Sequence, residues 1–188
     1  AKGSSLFHST IYRLRTALYR DIIIHDKGRY QLNPDYSYRF DVLELQQLAR
    51  TGRGDDPAAC QARRQAIDLY HTPFLETCED YWAIQIRTSV DSIMLNLLLD
   101  EARYLAQTGH QEEAEHCYLR ALTFDSFDER AHRGIMWCRA NSNNRTGAIH
   151  QFHECERILQ EELHISPSRE TIALHGAILS GKITAIPL

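Results

Sequence analysis

Apolar residues open the chain at Phe7, Ile11, Leu14 and Leu18, steps of four, three and four that line one face of a helix. The spacing predicts a helix from Ser5 to Tyr19, with Ser4 or Ser5 as its cap. Two β-rich runs follow, Ile22-Ile23-Ile24-His25 and Arg29-Tyr30-Gln31-Leu32. They flank a turn containing Gly28 and read as a hairpin closed by Asn33-Pro34. A second helix opens at Phe40-Asp41, capped by Asp41, with Val42, Leu45 and Leu48 on one face. Thr51–Pro57, with Gly52, Gly54, Asp55 and Asp56, reads as a loop, and Ala58–Tyr70 as a helix stopped by His71-Thr72-Pro73. From Tyr81 to Gln107 the residues Trp82, Ile86, Val90, Ile93 and Leu97 advance three or four at a time, predicting one helix about 40 Å long. A further long helix is expected from Arg145 to Leu163, stopped by Ile165-Ser166-Pro167. Ser168 then caps a last helix, Arg169–Leu179.

The second half of the chain repeats itself. Ala102–Gly109–Ala114–Tyr118–Ala121 overlies Met136–Asn143–Ala148–Phe152–Cys155 at a constant offset of 34 residues. This resembles the tetratricopeptide helix-turn-helix repeat, with Met136 and Asn143 standing at its usual small residue and turn glycine. The small residues let helices approach, Tyr118 and Phe152 fill the space between them, and Asn143-Asn144 supply a turn. Ile172, Leu174 and Ile178 are expected to cover the open end of the stack. Transferring the repeat register places Asn96, Leu99, Arg103 and Gln107 beside Arg130, Arg133, Trp137 and Asn141 on a concave surface. That surface suits an acidic or extended peptide, or another domain of the same protein.

Charge divides the chain. Residues 1–30 hold six basic groups against Asp21 and Asp26, a net +4, and the remainder carries −8. The two parts are expected to meet different partners. A helix followed by a basic-tipped hairpin is the second half of a winged helix-turn-helix. The run Ile11-Tyr12-Arg13-Leu14-Arg15-Thr16-Ala17-Leu18, then Gly28-Arg29-Tyr30-Gln31-Leu32, resembles the recognition helix and wing of the response-regulator type. That resemblance implies phosphate contacts from Arg13, Arg15, Arg20, Lys27 and Arg29, with His8, Ser9, Tyr12 and Thr16 nearest to base edges. It also implies that a sheet and two helices precede the recognition helix, so these residues alone are expected to bind DNA weakly or not at all.

The segment Ala66-Ile67-Asp68-Leu69-Tyr70-His71-Thr72-Pro73-Phe74-Leu75, then Tyr81-Trp82 and Arg87, leads into the two repeats. It closely resembles the bacterial transcriptional activator domain of the antibiotic regulatory (SARP) family and related large regulators. In that family the helical domain directly follows a winged helix. The implied organisation is the end of a winged helix over residues 1–34, a helical activator domain over 35–180 with repeats at 95–128 and 129–167, and a tail over 181–188. The fold class is mainly α: tetratricopeptide-like hairpins behind a small helix and β-hairpin. The expected partners are double-stranded promoter DNA in the full-length protein and a protein or domain in the repeat groove, with room for a homodimer. The alternative is a helical-repeat interaction module that serves signalling without touching DNA.

Composition removes several other classes. An apolar fraction of 43% supports a sizeable core, while apolar runs such as Leu97–Leu99 are too short to span a membrane. Cys60, Cys78, Cys117, Cys138 and Cys155 are spread singly with no CxxC, and are read as reduced thiols of a cytoplasmic protein. His150, His153 and Cys155 form the tightest group of candidate metal ligands. Cys155, five residues on from His150, points away on a helix, and no second cluster completes four ligands, so no metal or cofactor is expected. Cys117, Cys138 and Cys155 are read as packing residues. No phosphate loop, nucleophile elbow or framed carboxylate pair is present, and no enzyme is expected.

Overall fold

The computed structural model describes residues 2–18 and 21–182, with side chains from Leu6 onward, and every helix the periodicity predicts is formed within them. The described residues fall into two units, one ending at Phe40 and the other opening at Asp41. In the first, α1 (Lys2–Ala17) starts ahead of both serines, so neither Ser4 nor Ser5 occupies its N-cap. Tyr19, the expected end of that helix, lies outside the described residues. Strands β1 (Ile23–Asp26) and β2 (Arg29–Leu32) pair antiparallel, with Asp26 opposite Arg29. Lys27 and Gly28 both take left-handed angles, φ 47° and 79°. Such a two-residue turn matches the right-handed twist of the strands it joins.

The second unit is helical throughout: α2 (Asp41–Thr51), α3 (Pro57–Leu69), α4 (Tyr81–Gln107), α5 (Gln111–Ala121), α6 (Glu129–Asn141), α7 (Arg145–Ile158) and α8 (Arg169–Ser180). Asp56 caps α3 by accepting from the amides of Ala58 and Ala59 at 3.0 Å each, with Pro57 in the first helical position. Asp128, Asn144 and Ser168 do the same for α6, α7 and α8. The 34-residue repeat appears in the backbone as a shared turn: Gly109 (φ 87°) and Asn143 (φ 60°) both adopt the left-handed conformation. Asparagine tolerates that region better than other side chains, which is why it replaces the glycine here. The segment Arg145–Leu163 is helical as expected, but its last five residues, Leu159–Leu163, widen into a π turn that ends at left-handed His164.

The hairpins α4–α5 and α6–α7 stack in chain order, and α8 packs on both α6 and α7. Ala114, Ala121, Ala148 and Cys155 are fully buried and Tyr118 and Phe152 nearly so, the pattern the repeat predicts. One core runs from Leu45, Ala66 and Ile67 through Met94 and Leu98 to Tyr118 and Ile135. A smaller one, Met136, Ala148, Phe152 and Ile178, closes the stack. Each large aliphatic side chain withdrawn in this way stabilises the fold by about 1.5–3 kcal/mol. Two apolar positions of the helical pattern stay outside the core. Trp82 is 52% exposed, its edge toward Phe74 at a centroid distance of 6.4 Å. Ile172 is exposed as well, and its neighbour Thr171 is buried in its place.

Thr171 belongs to a polar layer that fastens α8 to the repeats. Glu129 accepts hydrogen bonds from the Ser168 amide (2.9 Å), the Ser168 hydroxyl (2.7 Å) and the Thr171 hydroxyl (2.5 Å), while Arg133 donates to the Thr171 oxygen at 3.2 Å. Beside it, Arg139 links Glu115 on α5 (2.8 Å) to the Gln151 carbonyl oxygen on α7 (3.1 Å). That contact orients the Gln151 amide, whose nitrogen then donates to His132 Nδ1 at 2.7 Å. His132 is therefore neutral, with its proton on Nε2, donated to the Ser126 carbonyl at 3.0 Å.

Burial lowers the His132 pKa below its ordinary value, against the opposing pull of the Ser126 carbonyl and of Glu154, Asp128 and Glu129. The unfolded chain thus takes up this proton at higher pH than the folded one. The stability contributed is full above about pH 6.5 and is lost as pH falls through the lower folded value. His175, stacked on Phe152 at 3.8 Å, is lowered by burial and by His153 and acts in the same direction. Thermal melts between pH 7 and 5 are expected to show a shallower loss of Tm in His132→Gln than in the parent. Equal slopes would assign the acid sensitivity elsewhere.

Candidate functional site

The helix–hairpin unit is built around Tyr30. Phe7 meets its ring edge-on at 5.2 Å, His8 Nδ1 lies 3.2 Å from its hydroxyl, and the Arg15 guanidinium stands 5.8 Å from its centroid. Arg15 Nε also donates to the Ile23 carbonyl at 2.8 Å, which ties α1 to β1. The face turned to the hairpin is therefore Phe7, His8 and Arg15. Of the expected apolar face, Leu14 and Leu18 remain 40% and 46% exposed. Arg15, expected on phosphate, and His8, expected near base edges, thus both make contacts between helix and hairpin.

The remaining positions divide by whether their polar atoms are engaged. Ser9 and Thr16 donate back to the Leu6 and Tyr12 carbonyls at 3.0 and 2.9 Å. Tyr12, Arg13, Lys27 and Arg29 are exposed, with Lys27 at the hairpin tip, while Arg20 lies outside the described residues. The helix and the hairpin tip thus each present exposed cations to solvent.

The repeat groove departs further from expectation. Leu99, Arg133 and Trp137 are buried, so they line no open surface. Arg133 is drawn inward because α8 lies across α6 and supplies Thr171, a contact that register transfer between two repeats does not contain. Arg130 is engaged by Asp128 at 2.6 Å, and Arg103 faces Asp100 and Asp55 at 3.4 and 3.9 Å. Asn96 and Asn141 are exposed but donate to the carbonyls of Ser92 and Trp137, at 2.8 and 2.9 Å, and Gln107 is exposed at the end of α4. With each arginine matched by a carboxylate or buried, this face carries no cationic stripe for an acidic peptide.

The most enclosed charge was not anticipated. Arg63 is wholly buried: its Nε donates to Glu101 at 2.8 Å and one terminal nitrogen to the carbonyls of Gly52 and Gly54 at 3.1 and 2.9 Å. Glu101 takes a second guanidinium, Arg64 Nε, at 2.6 Å. The cluster joins the α2–α3 loop, α3 and α4. A signal for it existed, since Glu101 falls on the buried line Met94–Leu97–Leu98–Ala102, where a carboxylate requires a cation.

Arg87 organises the loop before α4 in the same way, donating to the carbonyls of Phe74 (2.9 Å), Leu75 (2.5 Å) and Cys78 (2.9 Å). Leu75 is left-handed at φ 44° within that loop. Below it, Val42, Leu45, Tyr70, Phe74 and Val90 line a cavity of about 130 Å³, smaller than sites that enclose drug-sized ligands.

Of the candidate metal ligands, His150 and His153 are exposed and Cys155 is buried. Burial pushes the Cys155 and Cys138 thiols up to about 12 and Cys117 to about 11, far from the reactive thiolate range. Among the described residues no helix is long and apolar enough to cross a membrane.

The fold defines a helical-repeat domain preceded in the chain by a basic helix–hairpin. Residues 37–179, most of the chain, match the bacterial transcriptional activator domain, and the chain belongs to that family. The family is one of transcription regulators, not of enzymes. The match takes in the Arg87 clamp, the Arg63–Glu101 cluster and both repeats, and starts after the hairpin. Among curated proteins none matches the chain.

Proposed function

We propose that the chain serves a bacterial transcriptional activator by binding, with its helix–hairpin unit on promoter DNA and its helical domain as the regulatory, partner-binding half. The observation that carries this reading is the exposure of Arg13, Lys27 and Arg29 on a helix and hairpin turn, directly ahead of a transcriptional activator domain. Opposite charge on the two parts supports the division: the basic unit suits a phosphate backbone and the acidic domain repels it. Arg15 and His8 act as positioning residues, holding the helix against Tyr30 so that Arg13 and the hairpin tip keep one relative placement. In the full-length protein, Arg13→Ala and Lys27→Ala are each expected to weaken promoter binding and to flatten the log–log salt dependence by about one unit. Unchanged affinity and salt slope in both variants would overturn the assignment.

A further inference from the structure

The outer face of the first half of α4 is almost without charge. In a chain with 24% charged residues, only Arg87 and Asp91 carry charge between Tyr81 and Leu99. Both are committed elsewhere: Arg87 to the loop carbonyls, and Asp91 to the Tyr70 hydroxyl at 3.3 Å. The exposed side chains there are Tyr81, Ile84, Gln85, Thr88, Ser89 and Ser92, uncharged and spaced at helical intervals along one face. With Ile93 they form an open, shallow face on α4 alone, roughly three helical turns long. Exposed Trp82 stands beside Tyr81 at the N-terminal end of this face, and the loop that enters α4 there carries exposed Leu75 and three exposed carboxylates, Glu76, Glu79 and Asp80.

We propose that this face docks an amphipathic helix of a partner protein, with small and apolar residues on its contact side and basic residues at the end that reaches Glu76–Asp80. Short Ser and Thr side chains let a second helix approach closely, and Tyr81, Trp82 and Ile84 supply the large contact area typical of binding hot spots. The carboxylates choose the partner's sign. They repel a phosphate backbone and an anionic lipid surface alike, which leaves a cationic peptide as the complementary occupant. The inference does not depend on DNA binding by the helix–hairpin unit, and it moves the partner site from the repeat groove to the corner where the loop enters α4.

Two fluorescein-labelled helical peptides of about 16 residues test it. Both have Leu and Ala on one face, and one carries Lys and the other Glu in the terminal turns. Anisotropy titrations use the whole chain. The Lys peptide is expected to bind at least about tenfold more tightly than the Glu peptide, to lose affinity with added salt, and to shift the emission of half-exposed Trp82 while buried Trp137 stays silent. Ser89→Arg, which sets a bulky cation in the middle of the face, and the pair Glu76→Lys/Glu79→Lys should each weaken the Lys peptide by about tenfold. All three positions are exposed, and circular dichroism verifies that the variants stay folded. The proposal is overturned by absence of binding up to roughly 1 mM, by equal affinity for the two peptides, or by Ser89→Arg without effect. It is also overturned by sedimentation showing a dimer that Ser89→Arg dissociates, since the occupant would then be a second copy.

Discussion

Glu101→Ala is expected to destabilise the chain by about 3–5 kcal/mol, the largest loss from any single polar residue described above. Glu101 is 4% exposed and Arg63 not exposed at all, so the ion pair lies away from water. Removing the carboxylate leaves the Arg63 guanidinium with the Gly52 and Gly54 carbonyls as neutral partners and no opposite charge. The cost is that of an uncompensated buried cation, not of one hydrogen bond. Arg64 is a built-in control: it shares the same carboxylate, yet its side chain is 53% exposed. Water takes over when that contact is lost, and Arg64→Ala should cost no more than about 1 kcal/mol. Urea unfolding monitored by circular dichroism gives both numbers. Similar midpoints for the two variants would mean that the cluster is not what joins α3 to α4.

Gly134→Ala is expected to cost about 1–3 kcal/mol although it adds a single methyl group. A Cβ at that position would stand 2.3 Å from Tyr118 Cζ, and the ring is only 3% exposed, so it has little room to withdraw. Tyr118 on α5 lies flush against the α6 backbone, and that approach sets the spacing between the two repeats. The double variant Gly134→Ala/Tyr118→Leu should therefore lose less than the sum of its single variants, because the smaller side chain vacates the space the methyl needs. Strict additivity would show that the strain is relieved by backbone movement instead.

Helix positions were legible because helical periodicity and caps are local. Asp56, Asn144 and Ser168 stand where the chain must change direction, and Gly109 and Asn143 recur at one interval because the same turn recurs. The site was less legible, for a reason Arg133 illustrates. Register transfer turned it outward by analogy with the first repeat, whereas α8 comes across α6 only in the second and brings Thr171 and Ser168 with it. Arg15 shows the same limit in the first unit: its place beside the apolar face was visible in the sequence, but its bond to the Ile23 carbonyl depends on where the hairpin folds back.

The amino-acid sequence by itself determined the mainly helical class, the two 34-residue hairpins, the hairpin turn at Lys27-Gly28 and the resemblance to the activator domain. Each of these rests on spacing along the chain, which the backbone converts directly into a face or a turn. Only the tertiary structure decided that Glu101 holds two arginines, that Gly134 seats Tyr118, that Trp137 is inside while Trp82 is outside, and that Arg87 is spent on the carbonyls of the loop before α4. Those outcomes depend on which elements meet at long range. Burial and charge pairing are properties of the meeting, so no pattern within a single helix contains them.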